Sequence, residues 1–130
     1  MFDAKVAEQG LQKVVRRLEW QDNVRAWLDT SDVYLHTAAY EGLPLALLEA
    51  MGAGLPCVTS TGVLAEAAPL RNGALIAYED DWTSLLAYPD ERRTKAAACL
   101  QLFAKYFTAE RMALGYADHY ERILEQRKAA

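Results

Sequence analysis

The order of the apolar runs is the feature that most constrains this chain. Four short segments alternate with stretches of helical spacing: Val14-Val15-Arg16-Arg17-Leu18, Val33-Tyr34-Leu35-His36-Thr37, Cys57-Val58-Thr59 and Ala74-Leu75-Ile76-Ala77-Tyr78. No two-residue hairpin turn joins one run to the next, so each strand returns to the sheet through a crossover. The pattern predicts an α/β chain: a parallel sheet flanked by helices, followed by a helical C-terminal segment.

The helical stretches have recognisable ends. Lys5 to Gln12 reads as a short helix leading into the first run. Asn23 to Leu28 carries Val24, Trp27 and Leu28 at helical spacing. Pro44 to Ala53 opens on a proline, which suits a first turn, and Gly54-Leu55-Pro56 stops it. Asn72-Gly73 marks a turn before the fourth run. Helices are expected over Trp82–Ala87 and Asp90–Phe107. A last helix opens on Thr108 as N-cap and places Met112, Tyr116, Tyr120, Ile123 and Leu124 on one apolar stripe.

Composition closes off several classes. At 130 residues and 52% hydrophobic the chain is sized for one domain with a genuine core. A net charge of −4 with scattered bases excludes a nucleic-acid footprint. No apolar run is long enough for a membrane span and no leader opens the chain, so membrane contact is not encoded and a cytoplasmic location is expected. Cys57 and Cys99 sit far apart in sequence, fit no metal spacing, and read as small hydrophobes in a reducing compartment. His36 and His119 lack partners at ligand spacing and read as structural. Ser31, Ser60 and Ser84 have no G-x-S-x-G setting, and the G-x-G-x-x-G and P-loop patterns are missing.

In a parallel sheet, ligands bind where strands end and helices begin. The richest such loop is Ala38-Ala39-Tyr40-Glu41-Gly42-Leu43-Pro44. The helix after it offers unpaired N–H groups and partial positive charge, which favour phosphate. Glu41 would repel phosphate there and therefore suits a sugar hydroxyl, or positive charge developing on a sugar ring. On the helix, Leu47, Leu48 and Met51 face a core. Ala46, Glu49, Ala50 and Ala53 form a second, small face with one carboxylate. Glu49 lies about one to one and a half turns past the helix start, where the ribose of a nucleotide would fall. Its two oxygens suit vicinal hydroxyls. The blander alternatives are a dipole-complementing Glu41, a solvated Glu49 and an alanine face packed on a sheet. Trp20 to Asn23 closes the first run on the ligand side and could stack on or bond a base, although Trp20 could equally be core.

Taken together, Asp32 to Val58 resembles the signature of retaining GT-B glycosyltransferases of the family 4 kind. That family carries a Glu-x7-Glu motif within E-G-x-P-L-x-x-L-E-A-M-x-x-G-x-P-V-V. Glu41 and Glu49 have this spacing, and Leu48-Glu49-Ala50-Met51 with Gly54 and Pro56 matches almost letter for letter. Val15 to Leu28 is similar to the family's V-x-F-L-G-x-x-x-N-V-x-x-W-L entry. Glu66 sits where a glutamate usually follows the next strand, Asn72-Gly73 fits N-G-x-L-V, and Phe107 to Leu124 resembles the closing helix.

The resemblance implies a fold and a division of labour. The fold is a partial Rossmann-like sheet, the C-terminal half of a GT-B architecture, with residues 1–130 forming the C-terminal part of a donor-binding domain. The substrate is a nucleotide-sugar, with no cofactor and no metal. Glu41 is the catalytic carboxylate facing the transferred sugar. Gly42, Leu43, Pro44 and Leu45 form the substrate-binding backbone, and Glu49 holds the ribose. Transfer with retention proceeds through an oxocarbenium-like state, so the acid–base carboxylate pair of glycoside hydrolysis is not expected. Departures accompany the match. The family pattern also has an N-terminal acceptor domain and a donor-domain start with a diphosphate-neutralising Arg and Lys, and the resemblance implies that these parts lie outside residues 1–130. Lys5 and Lys13 lie outside the family's context, Glu19 replaces a glycine, Ala38 a common serine, and Pro44 has no N–H. The chain alone is therefore expected to be inactive. A non-catalytic α/β interaction module and a related GT-B epimerase are the alternatives, the latter disfavoured by the motif context and the closing helix.

Overall fold

The computed structural model describes residues 1–66, 69–70 and 73–128. The Glu66 side chain and Asn72, both part of the sequence reading, lie outside the described residues. The elements follow in the order α1 (Phe2–Glu8), α2 (Val24–Leu28), β1 (Tyr34–His36), α3 (Leu45–Gly52), β2 (Cys57–Thr59), α4 (Thr61–Glu66), β3 (Ile76–Ala77), α5 (Ser84–Ala87), α6 (Pro89–Tyr106) and α7 (Ala109–Lys128). The strands form one parallel sheet in the order β1-β2-β3. Tyr34 stands opposite Cys57, His36 opposite Thr59 and Thr59 opposite Ala77. The expected α/β architecture is therefore present, built on three strands.

Residues 14–18 do not form the expected strand. Val14 is exposed, and the segment stays irregular, with the Arg16 guanidinium 5.9 Å from the ring centre of Trp27 on α2. A β-branched run has strand propensity, but without a ladder partner its backbone gains nothing from extension. The fourth run forms only the two residues of β3. The expected helix at 5–12 forms instead at Phe2–Glu8, and that at 82–87 shortens to α5. One helix was not expected at all: α4 begins directly after β2, with Ser60 Oγ accepting the Val63 N–H at 3.1 Å in N-cap fashion.

The helix ends follow their sequence signals. Asn23 Oδ1 accepts from the Ala26 N–H at 3.2 Å, and Thr108 Oγ1 from the Arg111 N–H at 3.2 Å. After α3, Gly54 takes φ +76°, the Leu55 N–H bonds the Ala50 carbonyl at 3.1 Å, and the Gly54 N–H bonds the Met51 carbonyl at 3.0 Å. This is a Schellman stop, and it needs a residue free to adopt the left-handed region.

The core gathers Leu47, Leu48, Ala50 and Met51 of α3 with Leu28, Leu55, Val63, Leu70, Leu75, Cys99 and Leu102. Ala50 is thus a core residue and does not belong to the ligand-side face proposed from sequence. It follows Glu49 by about 100° around the helix, far enough to enter the core. Cys57 on β2 and Cys99 on α6, distant in sequence, meet in the core as free thiols. Each donates to a backbone carbonyl, Cys57 Sγ to Leu55 at 3.4 Å and Cys99 Sγ to Ala74 at 3.5 Å, and the neighbouring Cys99 thiol together with burial pushes the Cys57 thiol up. The stripe read on α7 is uncovered: none of its residues is buried. Periodicity records an apolar face but cannot say what covers it. Among the described residues no helix is long and apolar enough to cross a membrane.

Two stability outcomes follow from this packing. Leu47 is fully buried, so Leu47→Ala should cost about 2–5 kcal/mol in urea unfolding. A loss under about 1 kcal/mol would show that α3 is not anchored in the core. Removing residues 109–130 should leave that unfolding free energy within about 0.5 kcal/mol, because α7 contributes no buried residue. A larger drop would place α7 in the cooperative unit.

Candidate functional site

Parallel strands deliver the loops after β1, β2 and β3 to one end of the sheet, where α3 and α4 begin. The two helix starts differ. At α4, Ser60 caps Val63, and the Glu79 carboxylate accepts from the Thr61 N–H at 3.3 Å and the Thr61 hydroxyl at 3.3 Å. That terminus is filled by the protein's own acceptors. At α3 the N-cap is Pro44, which makes no side-chain cap hydrogen bond, and the first turn has no acidic residue. Its partial positive charge therefore remains available to an outside anion.

The residues singled out from the sequence lie on this loop and helix. Glu41 and Gly42 are exposed between β1 and α3, and a Cβ on Gly42 would meet nothing within 4 Å. Leu43 is 44% exposed and Leu45, the first helical residue, 72%. Pro44 is buried, and its carbonyl accepts the Leu47 and Leu48 N–H groups at 3.1 and 3.2 Å.

Glu49 is exposed on α3 and lines a cavity of about 560 Å³ together with Asp22, Val24, Arg25, Leu28, Gly52 and Phe103. The volume falls in the range of small-molecule sites. Glu41 is not among its lining residues, so the structure places the two carboxylates on one loop–helix unit but not in one cavity. The Glu49 carboxylate also acts on β1. The half-buried Tyr34 phenol is held above its ordinary value, first by burial, then by Cys57 and by Glu49. Arg25 in the cavity wall is paired with Asp29 at 2.6 Å.

Asp22 lies in the Trp20–Asn23 stretch that the sequence placed on the ligand side, and it lines the cavity. Arg25 and Phe103 also line it, although they gave no signal in the sequence. Trp20 belongs neither to a strand nor to the core: it is 89% exposed, and its indole N–H donates to Asp22 Oδ1 at 3.1 Å. Trp27 Nε1 donates to Gln21 Oε1 at 3.0 Å, so two indoles shape the 20–23 turn beside the cavity. Ser60 and Gly62 hold the loop after β1. Ser60 Oγ donates to the Ala38 carbonyl at 2.8 Å, and a Cβ on Gly62 would fall 2.3 Å from the Ala39 carbonyl oxygen. The signal for these was a cap-type serine and a glycine directly after a strand.

Comparison with known proteins agrees with this architecture. A stretch of 53 residues, 41% of this chain, is 40% identical to the Escherichia coli UDP-Gal:alpha-D-GlcNAc-diphosphoundecaprenol alpha-1,3-galactosyltransferase and covers 14% of that protein. A stretch of 62 residues, 48% of this chain, is 33% identical to the putative glycosyltransferase EpsF of Bacillus subtilis (strain 168) and covers 16% of it. The matches thus span about one sixth or less of these curated relatives. The crystal structure of WaaG, a glycosyltransferase involved in lipopolysaccharide biosynthesis, superposes with a TM-score of 0.65 at 23% identity, over 82% of this chain and 31% of WaaG. It shows the shared GT-B fold. The family model for glycosyl transferases group 1 matches residues 2–103, more than half of the chain, and the chain belongs to that family.

Proposed function

We propose that this chain forms part of the donor site of a retaining glycosyltransferase and binds a nucleoside diphosphate sugar across the start of α3. The observation that carries the reading is the contrast between the two helix starts, combined with the position of Glu49. The α3 terminus is free of acid caps, whereas that of α4 is filled, and Glu49 stands along α3 in the wall of a cavity. The diphosphate lies at the α3 terminus, where the backbone N–H groups of Gly42, Leu43 and Leu45 meet it. Glu49 accepts both ribose hydroxyls, and the exposed Trp20 ring borders the base. Pro44 shapes the turn through its fixed φ.

Glu41, in the loop before the helix, faces the sugar. As the bond from the anomeric carbon to phosphate lengthens, its electron pair passes to the diphosphate, which the helix terminus stabilises. The positive charge left on the sugar ring is stabilised by Glu41. Attack from the same face retains configuration. In this reading a separate N-terminal domain holds the acceptor, the start of the donor domain supplies the diphosphate-neutralising cations, and the isolated chain is expected to bind donor without transferring sugar. No metal or cofactor enters this reading, which takes the reaction to be cytoplasmic; the two buried free thiols are compatible with a reducing compartment. A second reading, a protein-interaction module, is favoured by one observation: the uncovered apolar stripe of α7.

The test separates the two carboxylates. In calorimetric titrations with UDP, Glu49→Ala should weaken binding ten- to a hundredfold, from about 1.5–3 kcal/mol of lost charged hydrogen bonding. Glu41→Ala should bind UDP unchanged or slightly tighter, because a negative charge near phosphate is removed, yet bind UDP-galactose more weakly. Titrating a GDP-sugar in parallel identifies the nucleotide. Equal loss of UDP binding in both variants would sink the separate roles, and no binding of any nucleotide by the parent chain would favour the interaction module.

A further inference from the structure

The loop that carries Glu41 is fixed from below by a residue that no ligand can reach. Ser60 is 3% exposed at the end of β2. Its Oγ donates to the Ala38 carbonyl at 2.8 Å, lies 3.3 Å from the Ala39 carbonyl, and accepts the Val63 N–H at 3.1 Å. The Ala38 partner is 22 residues away in sequence, so this bond joins two strand ends through one side chain. Gly62 reinforces the contact, since only a residue without a Cβ lets α4 approach the Ala39 carbonyl so closely. Glu79, after β3, holds the next residue, Thr61. The loop is therefore pinned at Ala38 and Ala39, immediately before Tyr40 and Glu41. It is pinned again at the buried Pro44. Between the pins, Tyr40 to Leu43 are exposed.

We propose that Ser60 is a positioning residue: through the Ala38 and Ala39 carbonyls it sets where the Glu41 carboxylate stands relative to the start of α3. Its consequence for donor binding rests on the reading above; the pinning itself does not. Removing the hydroxyl frees the Ala38 carbonyl and the Val63 N–H at once, and the short loop loses the anchor nearest Glu41. A carboxylate displaced by about 1 Å no longer meets the sugar, and misplacement on that scale can cost roughly a hundredfold in rate. Glu49 and the Leu45 N–H are held with α3 by the core, so bare nucleoside diphosphate loses only the ordered Gly42 and Leu43 N–H groups and weakens less than the intact sugar donor, which loses Glu41 as well.

The test compares the 130-residue chain with Ser60→Ala and with the conservative Ser60→Thr. Backbone ¹⁵N relaxation should give order parameters near 0.85, the rigid range, for Tyr40 to Leu43 in the parent chain, falling below about 0.6 in Ser60→Ala. Leu45 to Gly52 should stay unchanged, and Ser60→Thr should restore the rigid values. In titrations, Ser60→Ala should bind UDP no more than about threefold more weakly than the parent chain and UDP-galactose at least about tenfold more weakly, with recovery in Ser60→Thr. Unchanged order parameters in Ser60→Ala would overturn the proposal, as would loosening that spreads through α3 or equal loss of both ligands. A parent chain that binds neither ligand would overturn the donor-site reading alone, and the relaxation data would then decide the role of Ser60 by themselves.

Discussion

The packing of α3 against α6 is the contact on which the rest of the structure depends. Gly52 lies beneath the Phe103 ring, with its would-be Cβ 3.1 Å from two ring carbons, so the helices approach closely. The same α6 reaches β2, where Cys99 meets Cys57. One helix thereby fixes α3 relative to the sheet. Leu47, Leu48, Ala50 and Met51 are removed from water on the inner side, each large side chain contributing about 1.5–3 kcal/mol. That burial leaves Ala46 and Glu49 outward on a helix that cannot roll. A carboxylate on such a helix is presented at a fixed height and angle, which is what recognition of a diol requires.

Electrostatics then divides the sheet's carboxyl end into two unlike halves. Three loops arrive there, and each helix start brings backbone N–H groups with nothing behind them in the chain. α4 resolves the problem internally, with Ser60 and Glu79. α3 resolves it only in part: the Pro44 carbonyl takes the Leu47 and Leu48 N–H groups, and the preceding loop stays in solvent. One terminus is satisfied and its neighbour is left open, and the proposed position of the diphosphate rests on that contrast. The cavity beside Glu49, walled by Asp22 and by an Arg25 already committed to Asp29, adds little attraction for phosphate and more for hydroxyl groups.

Much of this was legible in the sequence because it depends on local rules. Alternating runs gave the parallel sheet, Cys57–Thr59 was bounded correctly by its glycine-proline stop, and Pro44 and Gly54 marked the ends of α3. The Glu-x7-Glu spacing marked the loop and helix that carry the candidate site. What the sequence did not reveal depends on partners distant in the chain. Val14 to Leu18 has strand composition but no neighbour to pair with. Ala50 looked like its neighbour Ala46, and only packing assigned it to the core. Ser60 was visible as a serine without a nucleophile's setting, while its bond to Ala38 exists only after β1 and β2 have paired. Phe103 became a cavity wall for the same reason.

The last helix shows how far a local pattern can go without a partner. α7 has a Thr108 cap, Glu110 in its first turn and Arg127 and Lys128 in its last, all matched to the helix dipole. Twenty residues of this kind exceed the roughly 12–15 below which isolated helices are marginal in water. Its length and end charges favour the helix without any buried contact. The apolar stripe adds nothing to stability while it faces water, since the hydrophobic term appears only when area is removed from solvent, at about 25 cal/mol per Å². Met112, Tyr116, Tyr120 and Leu124 keep that free energy in reserve, each more than half exposed. A helix that is already formed loses little further backbone entropy when its face is covered, so most of that reserve would go into docking.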